Sequence, residues 1–255
     1  MRSASFLFET NEDLLLDNFL YFQKILIMKV TIESNYTNRI KAILENKETV
    51  IYDNSNELCK ILKRGLLYPK TLCKNKILFI GINPSFREAH DYPHGFNNFH
   101  FENEIIETPS EDRYSYFKIF DKICSSDEWT HFDIFPFREK NQSKLTDLIN
   151  QPFFKDFLKS FALFSKEIIV ESRPKIIVVS NAYLRRFFSQ ENESSNANEF
   201  SLFKTHFSNE IGTHVIDENS LKNTPVFFTS MLSGQRAMDV GSRERLEWHI
   251  KKLTS

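Results

Sequence analysis

The apolar run Lys76–Ile82 (KILFIGI) leads into Gly81-Ile82-Asn83-Pro84-Ser85. Glycine lets the backbone turn and lets a ligand come close. Pro84 pushes Asn83 toward an extended conformation and stiffens the segment. An amide held in this way can position a water through its carbonyl oxygen, or meet a base edge with both of its groups. The same residues also make an ordinary Asn-Pro turn that caps the next segment, and spacing alone does not separate the two.

Other residues with chemical potential lie further on. Asp133 sits in the run His131–Phe137 (HFDIFPF). When ionised it only accepts hydrogen bonds, which suits an amino group better than a carbonyl; an ion pair with Arg138 or the capping of a nearby loop would occupy it equally well. His90, His94 and His100 are spaced by four and six residues, with no carboxylate or cysteine framework beside them, so no metal site is expected. Cys59, Cys73 and Cys124 are isolated and suit free thiols in a reducing, cytoplasmic compartment. The chain has no Gly-x-Ser-x-Gly elbow, P-loop or dinucleotide fingerprint.

Four apolar runs offer a scaffold for these groups: Lys76–Ile82, His131–Phe137, Lys175–Ser180 and Val226–Leu232. The first and third are continuously apolar, the pattern of strands buried on both faces of a parallel sheet. Helical spacing joins Tyr114, Phe117, Phe120 and Cys124, then Phe154, Phe157, Phe161, Phe164 and Ile168, then Leu246, Ile250 and Leu253. Ile40–Leu44 and Leu58–Leu66 read as helices before the first strand. The alternation predicts an α/β fold, a three-layer α/β/α sandwich around a mostly parallel four-stranded central sheet. Ligands of such sheets bind at the carboxyl ends of the strands, which is where Asn83 and Asp133 fall.

Composition bounds the rest. The chain has 255 residues, 41% hydrophobic and 26% charged, as in an ordinary globular protein. A net charge of −1 gives no global basic field, which argues against a non-specific nucleic-acid coat protein but not against a local basic patch. The 26 phenylalanines are background composition before they are base-stacking surfaces. Leu14–Ile27 is apolar but broken by Asp17 and Lys24, with no small-residue cleavage site after it. Residues 1–30 read as an N-terminal extension, either non-native or a short helix, and 31–255 as a single domain. Glu191–Glu199 (ENESSNANE) reads as a surface loop. No run of about 18 apolar residues exists, so no membrane span is expected.

KILFIGINPS resembles the first motif of the uracil-DNA glycosylase superfamily, closest to its mismatch-specific and single-strand-selective branches, which carry Gly-x-Asn-Pro after an apolar strand. His131-Phe132-Asp133-Ile134 resembles the second strand, Ile176–Ser180 with Asn181-Ala182-Tyr183 the third, and Phe228–Arg236 the last motif; the resemblance spans residues 75–250, with only the first motif specific. It implies a monofunctional, metal-independent DNA glycosylase with no cofactor, acting as a monomer in base-excision repair. Asn83 would orient the water that attacks C1′ of a flipped nucleotide, supported by Gly81, Ile82, Pro84 and Ser85. Phe96 would stack on the extruded base, with Phe99 and Phe101 as competitors, and Asp133 would meet the base edge. Leu232 would be the wedge that fills the vacated space, with Ser230, Ser233, Gln235 and Arg236 holding the DNA.

The chain departs from that pattern at three places. Ser85 cannot exclude the thymine methyl as a bulky residue would. Asp133 stands where relatives often place Asn. Phe228 replaces the polar residue that helps stabilise the departing base anion. Three cysteines exclude the iron–sulfur branches. Two readings follow: an enzyme that excises uracil or another modified base, or a catalytically weak or inert relative that binds DNA or nucleotides, as in a defence or regulatory role.

Overall fold

The computed structural model of the chain describes residues 28–45, 58–86, 99–125, 127–190, 201–234 and 237–255. In chain order its elements begin with β1 (Lys29–Thr31), α1 (Ile32–Glu45), α2 (Leu58–Lys63), β2 (Leu66–Pro69), β3 (Thr71–Cys73), β4 (Ile77–Gly81) and β5 (Phe99–Glu102). There follow α3 (Lys118–Ile123), β6 (Trp129–Asp133), α4 (Gln142–Ile149), α5 (Lys155–Ser172), β7 (Ile176–Val179) and α6 (Arg185–Phe188). The last are β8 (Ser189–Gln190), β9 (Phe203–Ser208), β10 (Thr213–Ile216), β11 (Pro225–Phe228) and α7 (Val240–Thr254).

The continuously apolar segments form the centre of the sheet. β4 and β7 are buried along their whole length, as strands covered on both faces must be. With β6 and β11 they form four parallel neighbours in the order β6-β4-β7-β11. Beyond β11 the sheet continues antiparallel through β10 and β9, and β8 joins β9 in parallel. The sheet is therefore mixed and has seven strands, which corrects the expectation of four. The added strands have no continuous apolar run. In β9, buried and exposed residues alternate at first, and its lysine and histidines leave it partly solvated, so a search for two-face burial passes over it.

Because strand side chains alternate in direction, β4 feeds two cores. Leu78 and Ile80 pack with Tyr36 and Ile40 of α1 and with Leu158 and Phe161 of α5. Ile77 and Phe79 pack with Phe120 of α3 and with Leu246 and Ile250 of α7. In α1, Ile32, Tyr36, Ile40 and Leu44 recur every fourth residue and are all buried, a single apolar stripe. In the second core, the Phe79 and Phe120 rings stack at 4.0 Å with 4° between their planes, and Trp129 meets Phe120 edge-on at 5.1 Å. Both phenylalanines are fully buried. We expect Phe79→Ala to lower unfolding stability by about 3–5 kcal/mol in urea titrations; a loss near 1 kcal/mol would mean that this core collapses around the cavity.

Several element boundaries also differ from the expected ones, and the differences move functional residues. β6 ends at Asp133, and Ile134–Phe137 lies outside it, so Asp133 stands at a strand end. Helix α3 covers only Lys118–Ile123, which leaves Tyr114–Phe117 in turns. Residue Leu66 opens β2 instead of ending a helix, and β2 pairs with β5 in a small parallel sheet. β1 pairs with β3, and Val30 is fully buried, so the folded chain already includes part of the stretch 1–30 set aside as an extension. Residues 1–27 and Glu191–Glu199 lie outside the described residues. No helix among the described residues is long and apolar enough to cross a membrane.

Candidate functional site

A cavity of about 740 Å³ opens at the carboxyl ends of β4, β6 and β7 and is closed on one side by the loop after β11. This is the crevice where parallel α/β sheets place ligands, and its volume is that of a small-molecule site. Gly81–Ser85, Asp133 and Ser233 line it, and so do Tyr116, His131, Ser180 and Asn181. The opposite wall comes from the β2–β5 sheet, through Tyr68, Glu102 and Glu104.

Asn83 is held by the loop after β6. Its amide nitrogen donates to the carbonyls of Phe137 at 2.8 Å, Glu139 at 2.7 Å and Pro84 at 2.9 Å. Two N–H groups are thus shared by three acceptors, which fixes the orientation of the amide. Among the described residues no group donates to its Oδ1. That acceptor is the part of the side chain left for a ligand or water. The Asn-Pro turn and the positioned amide are therefore compatible, because the two halves of one amide carry them.

Asp133 pairs in register with Gly81 across β6 and β4. Gly81 does not adopt a left-handed φ; the need for glycine comes from Asp133. A methyl group at Gly81 would overlap Asp133 Oδ1 and come within 3.2 Å of His131 Nε2. The predicted backbone turn is thus replaced by a different requirement, clearance for a neighbouring carboxyl group.

Asp133 does not pair with Arg138. Its nearest titratable neighbour is His131, on the same face of β6, with Nε2 at 3.7 Å from Oδ1. That is too long for a hydrogen bond, and His131 Nε2 is buried with no partner among the described residues. Phe117 and Phe120 surround the imidazole at 5.1 and 5.8 Å. Burial drives both groups toward their uncharged forms: it lifts the Asp133 carboxyl to about 7 and lowers the His131 imidazole to about 4. The pair is accordingly neutral acid beside neutral imidazole over much of the acidic range, not an ion pair.

These shifts oppose one another in stability. Asp133 binds its proton more tightly when folded, so its contribution is full below its ordinary value of 3.8 and is lost as pH rises to about 7. His131 resists protonation when folded, so its contribution is full above 6.5 and is lost as pH falls to about 4. The two nearly cancel between these limits in the native chain. We expect Asp133→Asn to expose the histidine effect, a stability loss of up to about 3 kcal/mol on acidification. His131→Gln should expose the opposite, a loss of up to about 4 kcal/mol as pH rises toward 7. Urea midpoints measured from pH 4 to 8 check this; three parallel pH profiles would contradict it.

A hydroxyl pair completes the floor. Ser180 Oγ donates to Ile80 O at 3.0 Å, so the Tyr116 hydroxyl donates to Ser180 Oγ across 3.2 Å. Burial pushes the Tyr116 phenol well up. Tyr116 and Phe117 supply apolar ring surface to the cavity. Their spacing suggests a helix face, and only the early start of the turn turns them inward; sequence alone carried no signal for that.

The remaining expected contacts divide. Ser230 is exposed and does not line the cavity, whereas Ser233 and Gly234 do. Leu232 is 2% exposed and packs into the second core, so in this conformation it is a buried anchor of its loop and not a projecting wedge. Phe228 also lies away from the cavity. It packs on Phe188 and His214, with the Arg185 guanidinium 4.9 Å above its ring. The apolar residue at that position therefore bears on the sheet surface and not on the chemistry of the pocket. Phe99 and Phe101 pack against the main core. Phe96, Gln235 and Arg236 lie outside the described residues, as do His90 and His94.

No protein-family profile matches the chain, and neither a curated protein nor a solved structure matches it.

Proposed function

We propose that the chain hydrolyses the N-glycosidic bond of a nucleotide whose uracil or other modified base enters this cavity, as a monofunctional glycosylase with a uracil-DNA glycosylase-like arrangement of its four parallel strands. One observation carries the reading: an amide with an open acceptor, Asn83, and a carboxyl group with no protein donor, Asp133, share one cavity at the carboxyl ends of adjacent parallel strands. In the reaction a water oxygen bonds to C1′ as the C1′–N bond breaks, and the base leaves with the bonding pair. Asn83 Oδ1 accepts from that water and aims it. An amide is a poor base, so catalysis rests on position and on the surroundings of the leaving group.

The burial of Leu232 favours bases that are already unstacked, and hence single strands over duplexes. The rival, an inert relative that binds DNA or nucleotides, draws support from the engagement of the Asn83 amide in holding Phe137 and Glu139. The two separate on oligonucleotides carrying uracil, hypoxanthine, hydroxymethyluracil or a G·U mismatch, treated with alkali after incubation. Scission at the modified base is expected, faster on single strands. Intact strands on every substrate, together with retained affinity for abasic DNA, would leave the binding reading in its place.

A further inference from the structure

Asp133 is a carboxyl group at the cavity surface that the protein itself leaves unserved. Among the described residues nothing donates to it, and no cation pairs with it; the nearest nitrogen is the His131 imidazole at 3.7 Å. Its other neighbours in the cavity are uncharged: Asn83 from β4, the Tyr116 hydroxyl from the turn before α3, and Ser180 after β7. The charged groups of the remaining walls do not neutralise it. Glu102 and Glu104 come from the β2–β5 side, and Arg138, Glu139 and Lys140 from the loop after β6. Glu104 is held by Thr71, Thr130 and the Cys73 amide, and Glu139 by Arg64.

The leaving base decides between the two forms of this group. A base that departs with its bonding pair carries negative charge, and an ionised carboxylate about 4 Å away would oppose it by roughly 4 kcal/mol at an effective dielectric of 20. A neutral acid instead offers one donor and one acceptor side by side. That pair is the complement of a lactam edge, a ring N–H next to a C=O, and it mismatches an edge with an amino group beside an unprotonated ring nitrogen.

We propose that Asp133 in its acid form determines base specificity: its O–H donates to the carbonyl oxygen of a lactam-edged base such as uracil or hypoxanthine, and its C=O accepts from the adjacent N–H. This rests on the reading that a base occupies the cavity. It replaces the expectation that an ionised Asp133 would select an amino group. The carboxyl is already lifted to about 7 by its burial, so the acid form is available at neutral pH.

The test uses binding of free bases to the whole chain, which requires no bond cleavage. Calorimetric titration with uracil, hypoxanthine, cytosine and adenine at pH 6 should show the first two bound at least about tenfold more tightly, the effect of roughly one good hydrogen-bond pair. Uracil affinity should fall about tenfold from pH 6 to pH 8, the change in acid fraction around a midpoint near 7. Asp133→Asn, a permanently neutral donor and acceptor, should keep lactam preference at both pH values, and Asp133→Ala should lose it. Tighter binding of cytosine or adenine, no binding of any base, or a wild-type uracil affinity that does not change with pH would overturn the proposal. Base binding in the expected pattern without strand scission would remove the proposed hydrolysis and leave this inference standing; scission without lactam preference would do the reverse.

Discussion

Gly81→Ala is expected to lower stability by about 2–4 kcal/mol, more than a surface strand glycine would, because overpacking at a buried site has no cheap relief. The added methyl group meets Asp133 Oδ1 and His131 Nε2, and neither can retreat: the imidazole is enclosed by Phe117 and Phe120, and the carboxyl group belongs to a strand locked in register with β4. Asp133→Ala in the same chain removes the worse overlap. The double variant should therefore be more stable than the sum of the single effects predicts, by about 1–3 kcal/mol. A thermodynamic cycle from urea unfolding reads this directly. Additive effects would mean that β4 and β6 shift apart to admit the methyl group, and that Gly81 is not present for the sake of Asp133.

The second large effect is at Asn83. On the proposed chemistry Asn83→Ala removes the acceptor that aims the water, a loss of about 10²–10³ in single-turnover rate by analogy with other oriented hydrogen-bonding groups. It also leaves the carbonyls of Phe137 and Glu139 without their donor, at about 1–3 kcal/mol of stability. Asn83→Asp is the more severe change despite its matching shape. A carboxylate would face three carbonyl oxygens where an amide N–H₂ now donates, so we expect Asp to be less stable than Ala at this position. Thermal unfolding of the two variants at pH 8 tests the order; a more stable Asp variant would show that the amide is oriented the other way.

The elements that place the site were legible to different degrees, and burial explains the difference. β4 and β7 are covered on both faces, and their continuous apolar runs announced them. β9 and β10 are partly solvated and mix apolar with polar residues, so the same criterion missed them and the sheet was expected to be smaller and more uniform. Asn83 was legible because Pro84 and the strand before it are local features. Its three carbonyl partners were not, since two of them lie more than fifty residues away. Asp133 was found as a strand-end residue, but its acid form depends on what surrounds it. No local pattern reports that His131 is enclosed by aromatic rings or that Arg138 lies elsewhere. Leu232 and Phe228 show the opposite failure: the order of residues in the last motif suggested their roles, and the tertiary packing gives both of them to cores.

The most direct measurement is chromatographic detection of the free base released from a single-stranded oligonucleotide carrying one uracil, under single-turnover conditions, with the native chain and with Asn83→Ala in parallel. Release by the native chain and a rate lower by about two to three orders of magnitude in the variant is the expected result. No release of uracil, or of hypoxanthine from the matching strand, or equal release by both proteins, would contradict a glycosylase centred on Asn83.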